Sequence, residues 1–133
     1  MTKRILLCDD EVHILRAAEF KLTRAGYDVR CAHDGQEGWE AIEQFHPDFV
    51  VTDLQMPRLN GFELSRRIRE NPATRDLPVL MLTAKGCEVA ENEVNDKLGI
   101  MAVLAKPFSP RELLSIIERA IGPAEAVEQA ATS

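Results

Sequence analysis

The sequence predicts a doubly wound α/β fold, with five parallel strands in the order 2-1-3-4-5 and helices on both faces of the sheet. Three observations lead there. Short apolar runs alternate with amphipathic helical segments along the whole chain, the grammar of repeated βα units. The run Phe49-Val50-Val51 is aromatic and β-branched, as in a strand buried on both faces, and it stops at a carboxylate, Asp53. Other strand ends also finish in polar residues, Asp9-Asp10, Thr83 and Lys106, where open parallel sheets place their ligands. The strand order cannot be read from residues. The order 2-1-3-4-5 is the common doubly wound choice, and it sets strands one and three side by side at the switch point.

Arg4 to Cys8 reads as the first strand, and about Glu11 to Ala25 as a helix with Leu15, Ala18, Leu22 and Ala25 on one face. Gly26 ends that helix. Tyr27 to Cys31 is the second strand. Asp34-Gly35-Gln36-Glu37 has the pattern of a capping box, opening a helix that buries Trp39, Ile42 and Phe45. The central strand ends at Asp53, and Pro57 cannot continue it. Asn60-Gly61-Phe62-Glu63 caps a third helix carrying Leu64 and Ile68, which stops before Asn71-Pro72. Pro78 opens the run Val79 to Leu82, closed by Thr83. A weaker helical segment, the fourth, spans about Cys87 to Leu98 and ends at Gly99. Ala102 to Ala105 is the last strand, followed by Lys106-Pro107. Ser109-Pro110-Arg111-Glu112 reads as another capping box with Pro at the first helical position, and that helix stops at Gly122-Pro123. Residues 3–122 read as one domain, and the Ala- and Glu-rich residues 123–133 as a mobile tail.

The chain has 133 residues, of which 45% are hydrophobic, enough for one domain with a real core. A net charge of −6 argues against a nucleic-acid surface. No apolar run approaches the roughly 18 residues of a membrane span, and the apolar run after Lys3-Arg4 ends at Asp9, too soon for a signal peptide. Cys8, Cys31 and Cys87 show no CxxC spacing. An odd count without a framework favours a reduced, cytoplasmic protein with cysteines as small core residues.

Leu7-Cys8-Asp9-Asp10-Glu11, Asp53-Leu54-Gln55-Met56-Pro57 with Asn60-Gly61 behind it, Leu77 to Ala84 (LPVLMLTA) and Lys106-Pro107-Phe108 stand in this order, each at a strand end. In these four motifs the chain resembles the receiver domain of two-component response regulators, over roughly residues 3 to 122. The resemblance implies that Asp53 is the phosphoacceptor, taking a phosphoryl group from the phosphohistidine of a histidine kinase or histidine phosphotransfer protein. It implies Mg²⁺ held directly by Asp10 and Asp53, by the backbone carbonyl of Gln55, and by Asp9 mainly through water. Lys106 would pair with Asp53 and then with the phosphoryl group, and Thr83 would hydrogen-bond a phosphoryl oxygen. The chemistry agrees. An ionised carboxylate needs no general base to attack phosphorus. Mg²⁺ takes oxygen ligands and keeps several waters, so a few carboxylates suffice. Cationic groups then offset the charge on the transferring oxygens. Such a protein catalyses only its own phosphorylation and dephosphorylation. The resemblance also implies a cis Lys106-Pro107 bond, the one kind of peptide where cis is cheap.

Each residue has a plainer reading. Asp9-Asp10 alone could cap a helix, Thr83 could be a strand-end hydroxyl, and Lys106 a solvated lysine. The joint set favours the site. His13, His33 and His46 show no metal spacing and read as surface residues, Trp39 as core, and Glu88, Glu91, Glu93 and Asp96 as a solvated face. A phosphatase of the aspartate-nucleophile type typically carries a second Asp two residues on, where this chain has Gln55. A flavodoxin-like cofactor binder needs a Gly- or Ser-rich phosphate loop after the first strand, and here that loop is acidic. The third alternative is a pseudo-receiver that only binds other proteins, with little phosphotransfer.

Two departures from the family pattern bear on output. The position three before Lys106, usually Tyr or Phe, is Val103, too short and stiff for a swinging gate. Ile100-Met101-Ala102 is more apolar than the family norm. The signal is therefore expected to leave through Thr83 and the loop Ala84-Lys85-Gly86. It would reach a surface around Met101, Val103 and the fourth helix that binds a second copy or a downstream protein. By resemblance, Gln55 and Lys85 border the path of water toward the acyl phosphate. No DNA-binding or catalytic domain follows Gly122 in this sequence, so the chain is either a single-domain regulator or relay protein, or a receiver belonging to something larger.

Overall fold

The computed structural model of the chain describes residues 2–84 and 99–124. Its strands are β1 (Arg4–Cys8), β2 (Asp28–Ala32), β3 (Phe49–Asp53), β4 (Val79–Thr83) and β5 (Ile100–Ala105). The described helices are α1 (Val12–Arg24), α2 (Gly35–Phe45), α3 (Gly61–Glu70) and α4 (Pro110–Ile121). The strands form one parallel sheet, as the alternating pattern predicts, and their order β2-β1-β3-β4-β5 is the common doubly wound one. The helical segment read at about Cys87 to Leu98 lies outside the described residues.

Alternation along each strand sorts the core into two layers. Leu6, Val50 and Met81 point to one face, where Trp39 and Ile42 of α2 and Leu64 and Ile68 of α3 cover them. Ile5, Leu7, Val51 and Leu80 point to the other, under Leu15, Ala18 and Leu22 of α1 and Leu113 and Ile117 of α4. β3 and β4 are buried at every position, which is why their sequences read as unbroken apolar runs.

Local chemistry sets most helix starts. α3 has a full capping box, Asn60 Oδ1 accepting from the Glu63 amide at 2.9 Å while Glu63 Oε1 accepts from the Asn60 amide at 2.9 Å. The other two predicted boxes are only partly formed. Asp34 Oδ1 caps the Glu37 amide at 2.8 Å, but Glu37 reaches one residue further back, to the His33 amide at 2.6 Å. Ser109 Oγ accepts from the Arg111 amide at 3.1 Å, a second-position cap behind Pro110. Strand limits also move, and β2 ends one residue later than expected, at Ala32. β5 starts at Ile100, ahead of Ala102, through an irregular register against β4 near Val79 and Leu80. β2 starts at Asp28, because Tyr27 leaves the positive-φ Gly26 (φ 104°) as a buried anchor whose hydroxyl donates to the Gly122 carbonyl at 2.6 Å.

The chain after α4 continues the same packing. The Lys3 amide donates to the Ala124 carbonyl at 2.8 Å, the Lys3 ammonium reaches the Ile121 carbonyl, and the Ala124 side chain is buried. Trp39 is core, with the Arg67 guanidinium 5.7 Å from its ring centre. His13, His33 and His46 are exposed. No described helix is long and apolar enough to cross a membrane.

Candidate functional site

Parallel strands all point their carboxyl ends the same way, so one rim of the sheet collects the residues that follow β1, β3, β4 and β5. β1 delivers Asp9 and Asp10, β3 ends on Asp53, β4 ends on Thr83, and Lys106 follows β5. Asp9, Asp53 and Thr83 are buried at 1%, 6% and 3% exposure, whereas Asp10 is exposed. One ligand oxygen from each of Asp9, Asp10 and Asp53 lies within 4.8 Å of the others.

Among the described residues, Lys106 is the cation of this cluster. Its Nζ stands 2.7 Å from Glu11 Oε1, 2.8 Å from Asp9 Oδ2 and 3.3 Å from Asp53 Oδ2. The Lys106 amide also donates to the Thr83 carbonyl at 2.7 Å, tying the two strand ends together. The Lys106–Pro107 peptide is cis, as expected. The expected partner of Lys106 was Asp53; Asp9 and Glu11 stand nearer. Glu11 belongs to the Asp-Asp-Glu run, but sequence reasoning gave it no role. The third acid in a row was the available signal. Its use depends on the start of α1 facing the end of β5 across the sheet rim, which only the fold supplies.

Burial raises the Asp53 carboxyl above the usual carboxylate range, and the charge of Asp9 pushes it further; Lys106 and the Gln55 backbone pull it back only in part. Burial alone would depress the Lys106 ammonium, but its contacts with Asp9 and Glu11 and the charges of Asp9 and Asp53 outweigh it and push the group up. The hydrogen bond and charge of Lys106 hold Glu11 below its ordinary value. Asp9 Oδ1 accepts from the Glu11 amide at 2.9 Å, while its fully buried Oδ2 has the ion pair with Lys106 and no aligned hydrogen bond. A buried oxygen left short, three converging carboxylates and an Asp53 pushed up by its neighbour are what a hard divalent cation relieves. The residues present fit Mg²⁺.

The loop after β3 is built close to the acids. Gly61 sits against the Asp53 carbonyl and donates its amide to the Leu54 carbonyl at 2.8 Å. Arg58 has a positive φ of 71° and stands 3.7 Å from Asp34, the cap of α2. The Gln55 side chain is exposed. Val103 is half buried and packs with the core layer under α2 and α3, while Met101 is exposed. Lys85 and Gly86 lie outside the described residues. Beside the acids runs a groove of about 510 Å³, lined by Glu11, His13 and Lys106 and by Ile14, Ala17 and Phe108.

Comparison with known proteins agrees with this geometry. The family model described as the response regulator receiver domain matches residues 5–118. The chain is 40% identical over 113 residues to the alkaline phosphatase synthesis transcriptional regulatory protein PhoP of Bacillus subtilis, covering 85% of this chain and 46% of that protein. It thus spans about half the length of the curated relatives it matches. Among solved structures, it resembles the chemotaxis protein CheY4 of Vibrio cholerae with a TM-score of 0.83 and 28% identity, over 91% of this chain and 100% of that one. It also resembles the receiver domain of the sensor histidine kinase PA1611 from Pseudomonas aeruginosa, at TM-score 0.79 and 31% identity, over 92% and 99%. That structure carries a magnesium ion coordinated in the active-site cleft.

Proposed function

The chain belongs to the response regulator receiver domain family, and on that premise we propose that Asp53 accepts a phosphoryl group from a phosphohistidine and that the acyl phosphate is the signal. The observation that carries the reading is the convergence of Asp53 with Asp9, Asp10 and Lys106 on one rim of the sheet. Asp9, Asp10, Asp53 and the Gln55 carbonyl are the groups that would hold Mg²⁺. Bound there, the ion would neutralise the acids and the oxygens of the incoming phosphoryl group.

The chain's own residues then have distinct tasks. An oxygen of Asp53 forms the new bond to phosphorus as the bond from phosphorus to the donor imidazole nitrogen breaks, and the imidazole leaves with that electron pair. Lys106 offers its ammonium to the phosphoryl oxygens, and Thr83, at the neighbouring strand end, supplies a hydroxyl donor. The apolar groove beside the acids is where the donor protein, a histidine kinase or a histidine phosphotransfer protein, would seat its helix. The reaction belongs in the cytoplasm with such a donor. Output would pass through Thr83 to the surface around Met101 and Val103, toward a second copy or a downstream protein. The rates of phosphorylation and dephosphorylation are the only reactions the site would promote.

The test is phosphoramidate with the purified chain, in Mg²⁺ and in chelator. One phosphoryl group per chain is expected in Mg²⁺, little in chelator and none in Asp53→Asn, without continuous phosphate release. Steady phosphate turnover would indicate a hydrolase. Equal uptake by Asp53→Asn would remove the assignment.

A further inference from the structure

We propose that Glu11 is a positioning residue that shares the Lys106 ammonium with Asp9 and Asp53 in the resting protein and gives it up when a phosphoryl group arrives. This rests on the phosphoacceptor reading and concerns how the same site is regulated. An ammonium has three N–H donors, and Lys106 stands among three carboxylates, 2.7 Å from Glu11, 2.8 Å from Asp9 and 3.3 Å from Asp53. The contact with Glu11 is the shortest, and it is a hydrogen bond.

The three partners differ in what replaces the lysine. Asp9 and Asp53 are buried, with side chains 1% and 8% exposed, so water cannot take its place there. The Glu11 side chain is 47% exposed, and water can solvate it on release. A phosphoryl group adds further negative charge and strong acceptor oxygens at Asp53. Glu11 is therefore the contact that Lys106 can exchange for one of them at least cost. The glutamate is a competitor of the phosphoryl group for one cation, and its grip sets how firmly the phosphorylated state is held. Glu11 is free for this task, because it stands at the N-cap of α1 without making a side-chain cap hydrogen bond. Replacing it with Gln takes the negative charge out of the lysine contact and removes no side-chain cap of the helix.

The experiment titrates beryllofluoride, a phosphoryl mimic, at saturating Mg²⁺ by calorimetry, in wild type, Glu11→Gln, Lys106→Met and the double variant. Glu11→Gln should bind the mimic about two- to fivefold more tightly, the size of one partly exposed ion pair. The gain should vanish in the Lys106→Met background. Unchanged or weaker binding in Glu11→Gln overturns the proposal. So does an equal gain without Lys106, which would make the effect one of general charge. If Lys106→Met binds too weakly to titrate, side-chain NMR of Lys106 decides. Glu11→Gln must shift its signal in the resting protein and leave it unchanged in the mimic-bound one; any other pattern overturns the proposal. A wild-type protein that binds no mimic defeats the phosphoacceptor reading itself, and this proposal with it.

Discussion

Gly61 presents its bare Cα to the carbonyl oxygen of Asp53: a Cβ built there would lie 2.5 Å from that oxygen and 2.9 Å from the Leu54 Cα. Both neighbours are backbone, so neither can rotate away. Gly61→Ala should destabilise the protein by about 1–3 kcal/mol through overpacking. It should also weaken Mg²⁺ binding, since the displaced backbone belongs to Asp53, one of the proposed ligands. Denaturant unfolding and metal titration check both. A variant as stable as wild type would mean that the loop after β3 is not fixed against the acid.

Mg²⁺ should stabilise the fold by relieving repulsion among Asp9, Asp10 and Asp53. At a hundredfold excess over Kd the gain is about 2.7 kcal/mol. Asp10 is exposed, so Asp10→Ala should fold normally and lose most of that gain. Thermal melts at fixed ionic strength, with and without Mg²⁺, measure it. Equal melting temperatures for wild type would contradict a metal pocket.

Lys106→Ala should leave two buried carboxylates without their cation. The expected cost near neutral pH is about 1–3 kcal/mol, below that of a fully buried pair because Glu11 can be solvated. Asp53 already sits above its ordinary value, and losing Lys106 raises it further. An acid raised in the folded state loses stability as pH rises and regains it as pH falls. The gap between Lys106→Ala and wild type should therefore narrow on acidification through the carboxylate range. A gap that widens would place the destabilisation elsewhere.

Tyr27 offers a test at the opposite end of the sheet. Burial pushes its hydroxyl up from 10.0 to about 12, with the charge of Glu118 adding to the rise. The neutral phenol, which donates to Gly122, is the favoured form in the fold. Its contribution is complete below pH 10 and is lost as pH rises through about 12. Wild type should lose more stability than Tyr27→Phe across that window. Parallel curves would show that the hydroxyl contributes nothing.

Much of this site was legible because charges interrupt apolar runs. Asp53 ends a run buried on both faces, and Asp9-Asp10 and Lys106 end others, so three strand ends announce themselves in one dimension. The competition at Lys106 was hidden. Glu11 reads as one more acid at a helix start, and only the sheet order brings it against the end of β5. Tyr27 looks like a strand residue, yet the positive φ of Gly26 turns it out of β2 toward Gly122. Ile100 was read outside β5 because Gly99 and an irregular register hide the start of that strand. In each case the deciding contact is long-range, while the sequence shows only local pattern.

The central claim is that Asp53 itself carries the phosphoryl group. Hydride reduction of the protein after phosphoramidate treatment in Mg²⁺ converts an acyl phosphate to an alcohol, and peptide mass spectrometry locates it. The account predicts homoserine at position 53 in wild type and none when Mg²⁺ is chelated. Reduction at Asp9, Asp10 or Glu11 with Asp53 intact would contradict it.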